Sequence, residues 1–165
     1  MNIRSFAISI VFVFILGLTV SAQNKYELDG NRLKVEKPIT FVGATDKLEP
    51  ASDEALKFVR DYLTDKKYVS TMRIEVHFRV GTKDPQLLSE KRALAIANWL
   101  VKNGVDCKRL IAVGFGTTKP VANPPQAFEN DRIEFYNAAL AGHAIGGMPL
   151  DGGGKSAGDV CPVPR

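Results

Sequence analysis

The sequence predicts an α/β fold of the α+β kind: a two-layer sandwich in the order β-α-β-α-β-β, with a mixed four-stranded sheet and two helices on one face. Three observations carry this. Met72, Ile74, Val76, Phe78 and Val80 alternate with Arg73, Glu75, His77 and Arg79, the period-two pattern of a strand. Ala93, Ile96, Ala97 and Leu100 recur at helical spacing between a start signal, Asp84-Pro85, and a stop signal, Asn103-Gly104. Helical and strand-like segments interleave along the chain, an order that packs helices against a sheet.

The chain opens with Arg4 in a short polar start, an apolar stretch of 15 residues from Phe6 to Val20, and small residues at Val20-Ser21-Ala22. This is the pattern of a secretory signal peptide at residues 1–22, and the stretch is shorter than the ~20 residues a spanning helix needs. No integral membrane span is therefore expected after cleavage. Residues 23–34 form a polar lead-in with an Asp29-Gly30-Asn31 turn signal. Pro38 introduces Ile39-Thr40-Phe41-Val42, read as a first strand over 38–42.

Ser52 before Asp53 and Glu54 suits a helix start, since a Ser oxygen can accept from open amides and carboxylates favour the positive helix end. Leu56, Val59 and Leu63 then predict a helix over 52–65. The alternating strand follows over 72–80, with one buried face and one charged face, and the second helix spans 85–103. Residues 110–115 and 132–136 read as the third and fourth strands. Trp99 and Phe135 fall within these elements and read as core or near-core residues. Residues 139–165 are rich in Gly and Pro with few large apolar side chains, which predicts a flexible tail.

At 45% apolar and 24% charged residues the composition is that of a folding chain rather than a disordered or multispan one. A net charge of +4 without a dense Lys/Arg run gives no phosphate track, so no nucleic-acid partner is expected. Export would place the two cysteines, Cys107 and Cys161, in an oxidising compartment where they can pair. Such a bond would close a loop of 54 positions, a stabilisation on the order of 4 kcal/mol in the loop-entropy account.

Three segments together resemble the OmpA C-terminal family, which includes OmpA, MotB and Pal. Leu88-Ser89-Glu90-Lys91-Arg92-Ala93 is similar to its LSxxRA helix start. Ala112-Val113-Gly114-Phe115-Gly116 with Lys119-Pro120 resembles its AxGxGxxxP strand and turn, and Asn130-Asp131-Arg132-Ile133-Glu134-Phe135 resembles NRRVEF. The resemblance covers about residues 35–138. It implies a non-enzymatic domain of the bacterial envelope, associated with cell wall or outer membrane, whose partner is peptidoglycan. Other envelope proteins are a second class of partner. In the family an Arg of LSxxRA receives a carboxylate of the peptide, usually on diaminopimelate, and an Asp in a GHTD-like segment receives its amino group. Arg92 matches the Arg, and a guanidinium offers the two-pronged donor that a carboxylate fits. Arg79, Asn130 and Arg132 complete the ligand-binding set carried over from the motifs.

Two positions depart from the pattern. Val76-His77-Phe78-Arg79 stands where GHTD would, which puts Arg79 in the place of the Asp, and Asp131 replaces the first Arg of NRRVEF. An ammonium meeting Arg79 would be repelled, which predicts weak binding of diaminopimelate-type peptidoglycan. Alternatively the shortened loop after Arg79 brings another acid, such as Asp84, into the pocket, or the pocket takes an anionic ligand or a protein instead. Glu75 and His77 share the strand's polar face but lack a third ligand, since the only other histidine is His143 in the tail. No metal, no cofactor and no nucleophile beside a base is expected, and a wall hydrolase using paired carboxylates is the remote alternative.

Overall fold

The computed structural model describes residues 24–146 and 152–161; the expected export segment at 1–22 lies outside them. The described residues begin with a small hairpin, β1 (Leu28–Asp29) and β2 (Arg32–Leu33). A single 3-10 turn at Pro50–Ser52 leads into α1 (Asp53–Asp65), followed by β3 (Val69–His77), α2 (Pro85–Lys102), β4 (Leu110–Gly116) and β5 (Arg132–Leu140). Two short strands, β6 (His143–Ala144) and β7 (Lys155–Ser156), complete one mixed sheet in the order β1-β2-β5-β3-β4-β7, with β6 on β5. Strands β3 and β4 run parallel, as two strands joined by a helical crossover must, and β5 lies antiparallel to β3 on its other side.

The helices cover one face. Leu56, Val59 and Leu63 of α1 and Ala93, Ile96, Ala97 and Leu100 of α2 share one buried cluster with Met72, Ile74 and Val76 of β3. Phe135 is buried in the same cluster and Trp99 packs against it. Buried Tyr62 and Asn137 exchange hydrogen bonds of 2.8 and 3.1 Å, which tie α1 to β5. Arg109 donates at 2.9 Å to the carbonyl of Leu63, an acceptor that the end of α1 leaves open, and at 2.8 Å to that of Val69 at the start of β3.

The tightest contact between the layers lies at Gly114. A Cβ there would stand 2.4 Å from the Glu90 backbone nitrogen and 2.5 Å from Ser89 Oγ. Ser89 Oγ donates to Gln86 O at 2.8 Å and accepts the Gly116 N–H at 3.0 Å. The small residues of the two motifs thus bring helix and strand backbones together.

The first strand differs from expectation. Residues 38–42 do not join the sheet; Phe41 forms only an isolated bridge to Leu48, and the edge place beside β5 is taken by β2, from the lead-in. The hairpin wins because Leu33 and Tyr26 bury their side chains there. Ser52 does not cap α1: its Oγ donates to Thr40 O at 2.9 Å and accepts the Thr40 N–H at 2.8 Å, tying the preceding loop instead. The tail from 139 onward is likewise corrected for its described residues. Strand β5 runs on to Leu140, β7 pairs with β4, Val160 is buried, and Cys107 is bonded to Cys161 with their Cα atoms 5.0 Å apart.

The polar face of β3 is not solvated. Glu75 and His77 are 2% and 1% exposed, because Phe115 stacks on the imidazole at 4.7 Å and neighbouring strands supply counter-charges. Arg73 Nε donates to Glu75 Oε1 at 2.5 Å, and His77 Nε2 lies 3.2 Å from Glu75 Oε2 and 3.4 Å from Glu134 Oε2. Arg32 Nη1 donates to Glu134 Oε1 at 2.7 Å, and Arg132 Nε sits 3.1 Å from Glu134 Oε2. Burial pushes the His77 pKa down more strongly than Glu75 pulls it up, so the ring is held neutral. Burial pushes the Glu75 carboxyl up, but the His77 hydrogen bond and the Arg73 charge outweigh it and the net direction is down.

Two outcomes follow. Gly114→Ala should lower stability by about 1–3 kcal/mol, because helix and strand must separate to admit a methyl group. A urea unfolding midpoint unchanged by the substitution would contradict that contact. The second concerns acid. Below the ordinary His value of 6.5 the unfolded chain takes a proton that folded His77 refuses, and below 4.5 the unfolded chain likewise protonates Glu75 first. Stability should therefore fall as pH drops from about 7.5 to about 5, and the slope should flatten in His77→Asn. Thermal melts read this directly, and a wild-type midpoint that holds or rises on acidification would refute the neutral, buried ring.

Candidate ligand pocket

Helix α2 is fixed against β4 at Ser89, and Arg92, one turn further along, is carried over the loop that follows residues 38–42. Its guanidinium lies 4.4 Å from the Phe41 ring centre and 5.1 Å from that of Phe78, so aromatic faces hold it in place. Arg92 Nε donates to Thr45 O at 2.8 Å and Nη2 to Gly43 O at 2.6 Å. Those bonds use only part of the guanidinium's donors. Burial pushes its pKa down, while Asp131 and Asp46 pull it up. Among the described residues, no carboxylate lies within ion-pairing distance of Arg92.

Arg92 lines a cavity of about 410 Å³ between the 35–43 segment, the end of β3 and the start of β5. Its apolar wall is Val35, Ile39, Phe41, Val76, Phe78 and Ile133, and its charged groups are Lys37, Arg92, Asp131 and Arg132. Sequence reasoning left Lys37 and the aromatic walls unassigned, since the loop that brings them together has no periodic signal. Asp131 carried a signal, its departure from the NRRVEF pattern.

The other residues carried over from the motifs are placed differently. Arg79 does not line the cavity. Its guanidinium stacks on Phe128 at 3.9 Å and its Nε is 3.4 Å from Asp131 Oδ2, while its backbone N–H donates to Asp131 Oδ1 at 2.8 Å. Asn130 is 1% exposed and spent on the loop before it: Oδ1 accepts the Val121 and Ala122 N–H groups, and Nδ2 donates to Ala122 O and Pro125 O. Arg132 borders the cavity but also donates to Lys119 O at 3.0 Å and pairs with Glu134. Asp84 sits at the start of α2 beside Lys83 and Lys91, in a separate depression.

On the opposite sheet face, Glu75, His77 and Glu134 bring one ligand atom each within 4.8 Å of one another, a set of a size that could hold a cation. The surroundings disfavour it. Arg73, Arg32 and Arg132 already neutralise the two carboxylates, and a metal on Nε2 would leave an Nδ1–H buried with no acceptor. A neutral ring donating from Nε2 to both carboxylates leaves Nδ1 as a bare acceptor, the cheaper arrangement. The cluster is an ion network that holds β2, β3 and β5 together.

Comparison with known proteins agrees with this architecture. The OmpA-like domain of FopA1 from Francisella tularensis subsp. tularensis SCHU S4 superposes with a TM-score of 0.53 at 22% identity, over 67% of this chain and 75% of that one. The periplasmic domain of Helicobacter pylori MotB gives 0.54 at 17% identity, over 67% and 85%. A putative MotB-like protein from Desulfovibrio vulgaris gives 0.53 at 23%, over 63% and 68%. At these identities the likeness speaks for the fold. A curated relative, the photosystem I P700 chlorophyll a apoprotein A2 of Gloeobacter violaceus, is 41% identical over 58 residues, 30% of this chain and 7% of that protein. The OmpA family model matches residues 40–133, more than half of the 165-residue chain. With the mixed sheet, the two helices and the Ser89–Gly114 contact between them, the chain belongs to the OmpA family.

Proposed function

We propose that this chain is a non-enzymatic envelope protein, exported to the periplasm, that associates with peptidoglycan through the pocket at Arg92. The observation that supports this most is the state of Arg92 itself: a half-buried guanidinium, flanked by two aromatic rings, with spare donors and, among the described residues, no carboxylate within ion-pairing distance. Desolvating a cation without an opposite charge is costly, and a carboxylate from a peptide stem would repay it with a two-pronged bond. Lys37 and Arg132 on the same wall add to the attraction for an anionic group. They equally favour the reading in which the pocket takes some other anionic ligand or a protein's carboxylate.

A hydrolase reading finds little support. Glu75 and Glu134 are the closest carboxylate pair in the buried network, yet each is engaged by arginine and Glu75 is held below its ordinary range. Held so, Glu75 is not set up to carry the proton that a general acid must donate.

Co-sedimentation with purified sacculi tests the proposal. Arg92→Ala should weaken retention roughly 10- to 100-fold, as expected for the loss of a charged hydrogen-bonded anchor. Arg92→Lys should recover only part of it, since an ammonium lacks the fork. A thermal melt separates loss of the anchor from loosening of the Gly43–Thr45 loop. Retention unchanged in a folded Arg92→Ala protein would overturn the reading.

A further inference from the structure

The cavity holds two opposite charges that do not meet. Arg92 and Asp131 both line it, yet the ion pair that Asp131 makes is with Arg79, outside the cavity. Asp131 is aimed by that same neighbour, whose backbone N–H fixes Oδ1 at 2.8 Å while the side chain rests on Phe128. A guanidinium on one wall and an oriented carboxylate on another, with an apolar wall between them, complement a group that bears both charges itself.

Resting on the reading that this pocket is the binding site, we propose that Asp131 is its specificity-determining acid, receiving the ammonium of a zwitterionic amino-acid end group whose carboxylate is held by Arg92, and that Arg79 is a positioning residue for Asp131. The acid thus comes from the start of β5 rather than from the end of β3, where the motif alignment would seek it. Arg79 is not among the residues that line the cavity, and its guanidinium is paired with Asp131. Its positive charge does compete for Oδ2, at 3.4 Å, and Oδ1 retains a lone pair beyond the one the Arg79 N–H occupies.

The test uses calorimetric titration of the protein with three synthetic stem tripeptides: one ending in diaminopimelate, the same peptide acetylated on its free amine, and one with lysine in place of diaminopimelate, which keeps the amine and lacks the carboxylate. The diaminopimelate peptide should bind on the order of tenfold or more tighter than its acetylated form, the size of one ammonium–carboxylate contact at a partly solvated site. Asp131→Asn keeps an acceptor for the Arg79 N–H and removes the charge, so it should abolish that preference. Arg79→Lys, which retains the backbone donor and the charge, should keep the preference. Equal binding of the first two peptides by the unmodified protein, or a preference that survives Asp131→Asn, would overturn the role of Asp131 and leave Arg92 as the anchor. Binding of the lysine peptide as tight as that of the diaminopimelate peptide would strike at Arg92 instead, and no binding of any peptide would overturn both.

Discussion

Helix α2 and strand β4 touch backbone to backbone at Gly114, and much of the molecule is arranged around that contact. A methyl group at this position would lie closer to Glu90 and Ser89 than atoms can pack. The close approach lets Ser89 reach across to the Gly116 N–H, and so fixes the rotation of α2 about its axis. Once that rotation is set, Ala93, Ile96, Ala97 and Leu100 face the sheet and Arg92 faces the loop at Gly43–Thr45. The placement of Arg92 is in this sense a consequence of core packing, since a helix carries the cation.

The two faces of the sheet use charge in opposite ways. On the face away from the helices, Glu75 and Glu134 are matched by Arg73, Arg32 and Arg132, and the histidine between them is kept neutral. That network is satisfied internally, and its role is to hold strands in register at the cost of sensitivity to acid. At the pocket Arg92 has carbonyl partners and aromatic walls but, among the described residues, no carboxylate within ion-pairing distance. Burying polar groups with their partners supplied suits structure, whereas a half-buried charge without one suits a ligand.

The elements with strong periodicity were legible in the sequence. The stripe through Ala93, Ile96, Ala97 and Leu100 marks α2, the alternation around Ile74 marks β3, and the motif residues Ser89, Gly114 and Arg92 stand where the layers meet. Misplacements arose where a short segment's fate depends on distant partners. Residues 38–42 look like a strand but lose the sheet edge to Arg32–Leu33, whose pairing to Tyr136 and Phe135 no local pattern announces. Glu75 and His77 look like solvated residues because strand alternation cannot show that Phe115 stacks on the imidazole and Arg73 pairs with the carboxylate. The Gly-rich tail is sparse in apolar side chains, yet Gly154 suits it to lie flat on Phe115 and Val113, and Cys161 reaches Cys107. In the pocket, alignment looks to position 79 for an acid, whereas the carboxylate that lines the cavity belongs to Asp131, and the two departures from the motif set are brought side by side only by the fold.

The proposed function requires ligand to meet the protein at the cavity around Arg92 and not on the charged face across the sheet. An amide-resolved NMR titration with a diaminopimelate stem tripeptide tests this most directly. Shift changes should concentrate at Gly43, Thr45, Phe78 and Asp131, with Arg32, Lys119 and Tyr136 unmoved. Changes confined to Arg32, Lys119 and Tyr136 would contradict it.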